Sequence, residues 1–539
     1  MSDQPIFKPT RRTLIKGLVS ASGTALLSSR IGDVLAQGAA PATVTSERLR
    51  PQVPGGVMSG DITADSAIVW SRSDRPARMI VEYSTDAAFK NVARRIGPAA
   101  LESNGLTARV DLTGLPAGAD LFYRVRFQDL VHDKVFSEPV AGRFRTAPVQ
   151  ANRPICFVFS GDEAGQGWGI NERFGGYRLY EAMRRESPDF FIHSGDQIYA
   201  DGPIQAEVKL PDGALWTNLV TEAKSHVAQT LDDYRGAFAY NQLDKNKRAF
   251  SAEVPFLVQW DDHEVRNNWY PGQQIGPEEK RYQERSASLL AARARQAMFE
   301  YNPFRFNPID PEQIYRAFQY GPLLDVFMLD ERSYRGRNSP NRQTGLDADS
   351  AFLGPAQAAW LKQSLKQSKA TWKVIASDMP ISLVVPDLNP DVPKGTYEAW
   401  ANADDGMPSG RELELAEILR FIKQENIQNV VWVTADVHYA QATCYHPSRA
   451  KFTDFKPFWE FVGGPINAGT FGPNEVDQTF GPDLRYVSIP KDNPQNQSPA
   501  ALQQYYGRAK IDPITRTMHV SLHDLDGKSL WEVKLDPEA

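Results

Sequence analysis

Residues 189–202 read DFFIHSGDQIYADG. The apolar first half has the composition of a strand buried on both faces. The polar second half has that of a loop at its carboxyl end. Taken alone, such a loop is either a polar turn or part of a metal site, because aspartate closes turns and caps helices as readily as it binds cations. Repetition decides between them. ICFVFS is followed by GDEAG with Asp162, and PFLVQW by DDHEVRNNW with Asp261, Asp262, His263 and Glu264. WKVIAS is followed by Asp378, and NVVWVTA by DVH with Asp436 and His438. Ligands of open α/β sheets bind beyond the carboxyl ends of the strands. Carboxylates gathered there repel one another, and desolvating each costs several kcal/mol, roughly. Two cations bridged by one carboxylate relieve that cost.

Between the apolar strands lie RFGGYRLYEAMRRE, RSASLLAARARQAMFEY, GPAQAAWLKQSLKQS and SGRELELAEILRFIKQEN. Strands alternating with helices predict an α/β domain over residues 152–539. Residues 45–148 follow a different grammar. SAIVWSR, ARMIVEYS, TARVDLTGL, DLFYRVRF and AGRFRTAP alternate apolar and polar residues between Gly, Pro and Asp turns, which predicts a β-sandwich. LPAGADLFYRVRF resembles the entry to a late strand of a fibronectin-type module, with Tyr123 near its corner. This module supplies no ligand cluster, so it is expected to pack beside the α/β domain. The chain ends in a hairpin turning at Asp526-Gly527. Residues 201–250 and 385–410 read as insertions over the strand ends.

The chain has 539 residues, 41% hydrophobic and 23% charged, with a formal net charge of −6. That balance makes no broad electrostatic case for nucleic-acid binding, so an anionic substrate needs a local positive centre. Two cysteines, Cys156 and Cys444, exclude a disulfide framework and leave either one bridge or two buried thiols. Arg11 and Arg12 precede a mildly apolar, Ser- and Gly-rich stretch that ends in small residues. Residues 1–40 therefore resemble a twin-arginine signal peptide, cleaved after Ala36 or Ala40. The expectation is a protein exported folded by the twin-arginine machinery to the periplasm or the medium. Neither that stretch nor any other segment is long and apolar enough for stable membrane insertion.

GDEAG, GDQIY, DDHE and DVH resemble the ordered blocks of the calcineurin-like metallophosphatases, and GDxxY resembles the purple acid phosphatase form. FSGDEAGQGWGI, DFFIHSGDQIYADGP, WDDHEVRNNW, FMLDERSYR, LGPAQAAWLKQSL and EFVGGPINAGTFGP resemble segments of the alkaline phosphatase D, or PhoD-like, family. The resemblance implies an α/β fold, a four-layer αββα sandwich preceded by a small fibronectin-like β-sandwich. It also implies a secreted enzyme that hydrolyses phosphate esters with a metal-activated hydroxide.

On the same resemblance, Asp162, Asp196, Tyr199 and His438 would hold Fe³⁺, a hard ion suited to a phenolate, with Asp196 bridging to a second metal. Asp262, Asp378 and Asp436 stand where the superfamily has Asn, His and His. Their all-oxygen character favours Ca²⁺, with Mn²⁺ or Mg²⁺ as alternatives, over zinc. Asp378 has a second reading as a cap. The cysteine often found one residue before the Asp162 position is Gly161 here, and Cys156 lies within the strand.

His263 would protonate the leaving group or bind phosphoryl oxygens, or instead orient a carboxylate. Asn267, Asn268, Arg266, Arg332 and Arg335 are candidates for binding phosphate oxygens, which guanidinium forks match. Glu264 reads as a supporting carboxylate, His193 as a buried histidine bonded to backbone, and Asp201 as a turn residue. Trp168, Trp269, Tyr270 and Trp400 either shape a leaving-group pocket or fill the core. Phosphodiesterase or phospholipase D-type chemistry on the same centre is the alternative activity. A non-catalytic secreted binding protein is the alternative of another class.

Overall fold

The computed structural model describes residues 47–390 and 392–538. The signal-peptide expectation for residues 1–40 lies outside them. Pro51–Ala539 form one compact unit.

Two sheets build the layers of the α/β domain. In the nine-stranded sheet, Ile155–Ser160, Phe190–Ser194 and Phe256–Gln259 run parallel as neighbours. In the seven-stranded sheet the parallel centre is Leu324–Met328, Trp372–Ala376, Val430–Thr434 and Phe458–Val462. These are the apolar runs of the sequence. Their side chains are buried on both faces, as parallel sheets require.

One core lies between the sheets, where Phe157, Phe159 and Ile192 meet Val326, Val374 and Val433. The outer face of the first sheet is covered by helices including Arg178–Arg185, Lys245–Glu253 and Ala287–Tyr301, which contribute Leu179, Phe250 and Leu290. Gly354–Gln367 and Glu412–Gln424 cover the second with Leu361 and Leu415. The layers are therefore α, β, β, α. Ser286 and Asp244 start two of these helices by accepting backbone N–H groups.

The N-terminal sandwich sets a four-stranded sheet, Ala93–Ala100, Ala77–Ser84, Asp120–Asp129 and Val140–Arg145, over Val57–Gly60, Ser66–Arg72 and Thr107–Thr113. It does more than pack beside the α/β domain. Val57–Gly60 pairs parallel with Phe256–Gln259, so its half-sheet continues the nine-stranded sheet. The junction is Gly60, where a Cβ would meet the Phe256 carbonyl at 2.5 Å. Beside it, buried Asp61 accepts from Arg316 at 2.8 Å and from the Arg305 backbone at 2.6 Å. Continuing the sheet spares that edge a row of unpaired backbone groups.

Cys156 and Cys444 are free thiols, both half-buried. No helix among the described residues is long and apolar enough to cross a membrane.

Candidate metal centre

Three of the five acidic loops leave their strands through a left-handed backbone. Asp162, Asp196, Asp436 and His438 have φ of 69°, 52°, 66° and 63°. Such conformations cost non-glycine residues about 1–3 kcal/mol and cluster at functional sites. Gly195 precedes Asp196 because a Cβ there would meet the Asp261 side chain at 2.5 Å. The bends aim the side chains at one point. Asp162, Asp196 and His438 offer ligand atoms within 4.8 Å of one another. So do Asp196, Asp262 and His263, and likewise Asp261, Asp262 and Asp436.

The donor chemistry suits cations. Both oxygens of buried Asp162, Oδ1 of Asp262 and Oδ2 of Asp261 have no hydrogen-bond partner, which a buried carboxylate without a cation does not tolerate. Burial, then the charge of Asp261, holds the Asp162, Asp196 and Asp436 carboxyls well above the usual carboxylate range. Tyr199 Oη lies 2.7 Å from His438 Nε2, which is 3.6 Å from Asp162 Oδ1. His438 Nδ1 donates to the Gly469 carbonyl. That fixes the tautomer with its Nε2 lone pair toward Tyr199 and Asp162. Burial pushes this imidazole down to about 4, so it is neutral and able to ligate.

His263 borders the same carboxylates. Its backbone N–H donates to Asp196 at 3.1 Å, and its Nε2 lies 3.8 Å from Asp262. Its Nδ1 is held by Asp201 at 2.7 Å, and Asp201 also accepts the Asn267 backbone N–H at 2.8 Å. Burial opposes charge on both side chains, but their mutual attraction outweighs it, holding Asp201 down to about 2 and His263 up to about 10. Asp201 sits in the turn closed by Gly202 N–H to the Tyr199 carbonyl, as expected, and from there its side chain anchors His263. Its place two residues beyond Tyr199 in the acidic loop was the available signal.

The sequence model of the PhoD-like phosphatase family matches residues 157–522, and that of its N-terminal domain matches residues 38–148. The chain belongs to the PhoD-like phosphatase family. Alkaline phosphatase D of Bacillus subtilis (strain 168) is 31% identical over 465 residues, spanning 82% of this chain and 73% of that protein. A solved structure of PhoD superposes with a TM-score of 0.65 at 23% identity, covering 90% of this chain and 92% of that one. A purple acid phosphatase from yellow lupin (Lupinus luteus) seeds gives 0.55 at 12% identity, covering 90% and 74%. Both share the fold.

In this PhoD-like chain three predicted substrate-binding arginines are structural. Arg332 is fully buried, donating to Asp261 at 2.6 Å and Glu398 at 2.7 Å, with Asp378 at 3.4 Å. Arg335 donates to the Glu398 carbonyl and to Asn338 and stacks over Phe352. Arg266 is buried over the Tyr282 ring. None lines the cleft above the carboxylates, whereas Asn267 and Asn268 do. The Asn268 amide reaches Asp387 at 3.2 Å and the Asn267 amide Asn389 at 3.3 Å, so both brace a wall of the cleft.

Asp378 stands one step back, against Arg332, and neither of its oxygens accepts a capping N–H. Glu264 accepts the backbone N–H groups of Asp196, Gln197 and Asp261, clamping two of the loops together. His193 is buried and donates to the Glu163 carboxylate at 3.0 Å, with a further contact to the Gly195 backbone. Glu163, absent from the sequence reading, also takes both of its oxygens to Lys247 Nζ at 2.7 Å. Trp168, Trp269 and Trp400 are buried, and with Tyr270 they lie outside the cleft lining.

Proposed function

We propose that the protein hydrolyses phosphate esters at a two-cation centre. Asp162, Asp196, Tyr199 and His438 would hold Fe³⁺. Asp262 and Asp436, together with the Asp196 that the two sites would share and with Asp261 and Asp378 behind them, would hold a Ca²⁺-like ion, with Mn²⁺ or Mg²⁺ as alternatives. The observation that carries this is the pair of overlapping ligand groups that share Asp196, with unpartnered oxygens on Asp162 and Asp262. When bound, two cations lower the pKa of a water and neutralise charge on the phosphoryl oxygens.

The chain's own residues supply orientation and a proton. His438 is held neutral with Nε2 inward by the Gly469 carbonyl. Asp201 fixes the His263 ring so that Nε2 faces the cleft, where it gives a proton to the leaving-group oxygen. Export by the twin-arginine route to the periplasm or medium belongs to the same reading, motivated by Arg11 and Arg12.

A second reading, phosphodiester hydrolysis at this centre, is favoured by the cleft's volume of about 660 Å³, which leaves room beyond one phosphoryl group. Replacing Asp196 by Asn tests the proposal. Metal content and hydrolysis of both mono- and diesters should be lost together, and full activity in that variant would sink the scheme. Inactivity of the metal-loaded native chain on every phosphoester would favour a binding protein instead.

A further inference from the structure

The cleft above the carboxylates is chemically one-sided. Its lining includes Asp196, Asp262, Asp436, Glu398 and Glu475, and among the described residues it includes no lysine or arginine. The neighbouring guanidinium groups of Arg332 and Arg335 are buried and turned to Glu398. Among the described residues His263 is the one cationic side chain of the lining and lies against Asp262 at the phosphoryl end, so a second anionic group farther along the cleft finds no lysine or arginine. It meets exposed Glu475 instead, a repulsive element against charged ligands, whereas the Glu398 carboxylate is buried and paired with Arg332.

The rest of the wall is apolar. Val384, Val385, Pro386 and Leu388 form one side, and Phe471 with Pro473 contribute another. These segments are fixed in place. Asp387 accepts from Asn338 at 2.8 Å and Asn268 at 3.2 Å, and Asn389 donates to the Asn267 carbonyl at 2.9 Å. The two sides are tied by the Val384 N–H to the Glu475 carbonyl at 2.9 Å and the Asn474 amide to the Val384 carbonyl at 3.0 Å. Leu388 stands 82% exposed at the rim of this braced wall. Apolar surface held open beside a few convergent polar groups is the usual composition of a small-ligand site.

We propose that the cleft selects phosphate esters whose organic group is apolar and uncharged, with Val385, Leu388 and Phe471 as its specificity-determining wall. The inference rests on the phosphate-ester reading above. It adds that substrates carrying a second phosphate or a carboxylate on the organic group are discriminated against.

The test compares para-butylphenyl phosphate with its omega-carboxy analogue, each as monoester and as methyl diester, on the full-length metal-loaded protein. The two phenols have nearly equal acidity, so the comparison reports recognition rather than leaving ability. The apolar ester should be favoured about tenfold or more in kcat/KM. Leu388→Lys should narrow that ratio several-fold by improving the carboxylate ester. Ile514→Lys, at an equally exposed leucine-sized side chain outside the cleft, should leave it unchanged. Equal kcat/KM for the pair, or indistinguishable effects of the two lysine variants, would overturn the inference while leaving hydrolysis itself intact. Failure to hydrolyse any of the four esters would overturn the phosphate-ester reading and this inference with it.

Discussion

Asp201 Oδ1 and His263 Nδ1 lie 2.7 Å apart, although 62 residues separate them in the chain. The contact turns one nitrogen of the imidazole away from the cleft and leaves the other facing it. His263→Ala should lower kcat about 10²–10⁴-fold while leaving metal content near native. Asp201→Asn should cost roughly 10–100-fold, the scale for residues that orient a functional side chain in a metal site. Steady-state kinetics with parallel metal analysis checks both. An Asp201→Asn protein as depleted of metal as Asp196→Asn would make Asp201 a ligand instead.

Metal removal should reshape stability against pH. In the metal-free protein, burial and then neighbouring carboxylates hold Asp162, Asp196 and Asp436 well above the usual carboxylate range. The folded chain then keeps protons that the unfolded chain has released. Their contribution is fully present below the ordinary aspartate pKa and is lost as pH rises through the folded-state values. Chelated protein should therefore melt lower at neutral than at mildly acidic pH, and added divalent cation with Fe³⁺ should restore neutral stability. Melting curves across pH with and without chelator test the sign; a chelated protein that gains stability toward neutrality contradicts it.

Glu163 and Lys247 form a buried ion pair one residue from Asp162. Lys247→Met leaves the carboxylate without its cation and should destabilise the fold by roughly 3–5 kcal/mol. Adding Glu163→Gln to that variant should recover part of the loss, since the uncompensated charge is gone. Denaturant unfolding of the two variants decides the matter; equal stability would mean that the pair carries no net charge coupling.

The apolar runs ending in Asp162, Asp196, Asp262 and Asp436 were legible because a strand buried on both faces is an almost continuous apolar segment. The turn after it is marked by the change to Gly and Asp. The roles of Arg332 and Arg335 were not legible. Nothing local distinguishes an arginine aimed at substrate from one aimed at Asp261, and that choice is made by contacts 71 residues apart. The joining of the N-terminal sandwich to the catalytic sheet was hidden for a related reason. Val57–Gly60 is four residues long and fully buried, too short for its periodicity to reveal a partner strand.

That junction makes its own prediction. Gly60→Val would drive a side chain into the Phe256 carbonyl and Pro303 at the seam, with an expected loss of about 1–3 kcal/mol, the range for overpacking. Gly345→Val, where a Cβ meets nothing within 4 Å, should stay within about 0.5 kcal/mol of native. Thermal melting of the pair distinguishes a shared sheet from a loosely appended domain, for which both variants would behave alike.

The most direct measurement is elemental analysis of catalytically active protein together with its visible spectrum, repeated on Tyr199→Phe. A two-cation centre predicts about two metal ions per chain, one of them iron, and a tyrosinate-to-iron absorption band that disappears in the variant. A colourless active protein holding only zinc, or an active protein holding no metal, would contradict it.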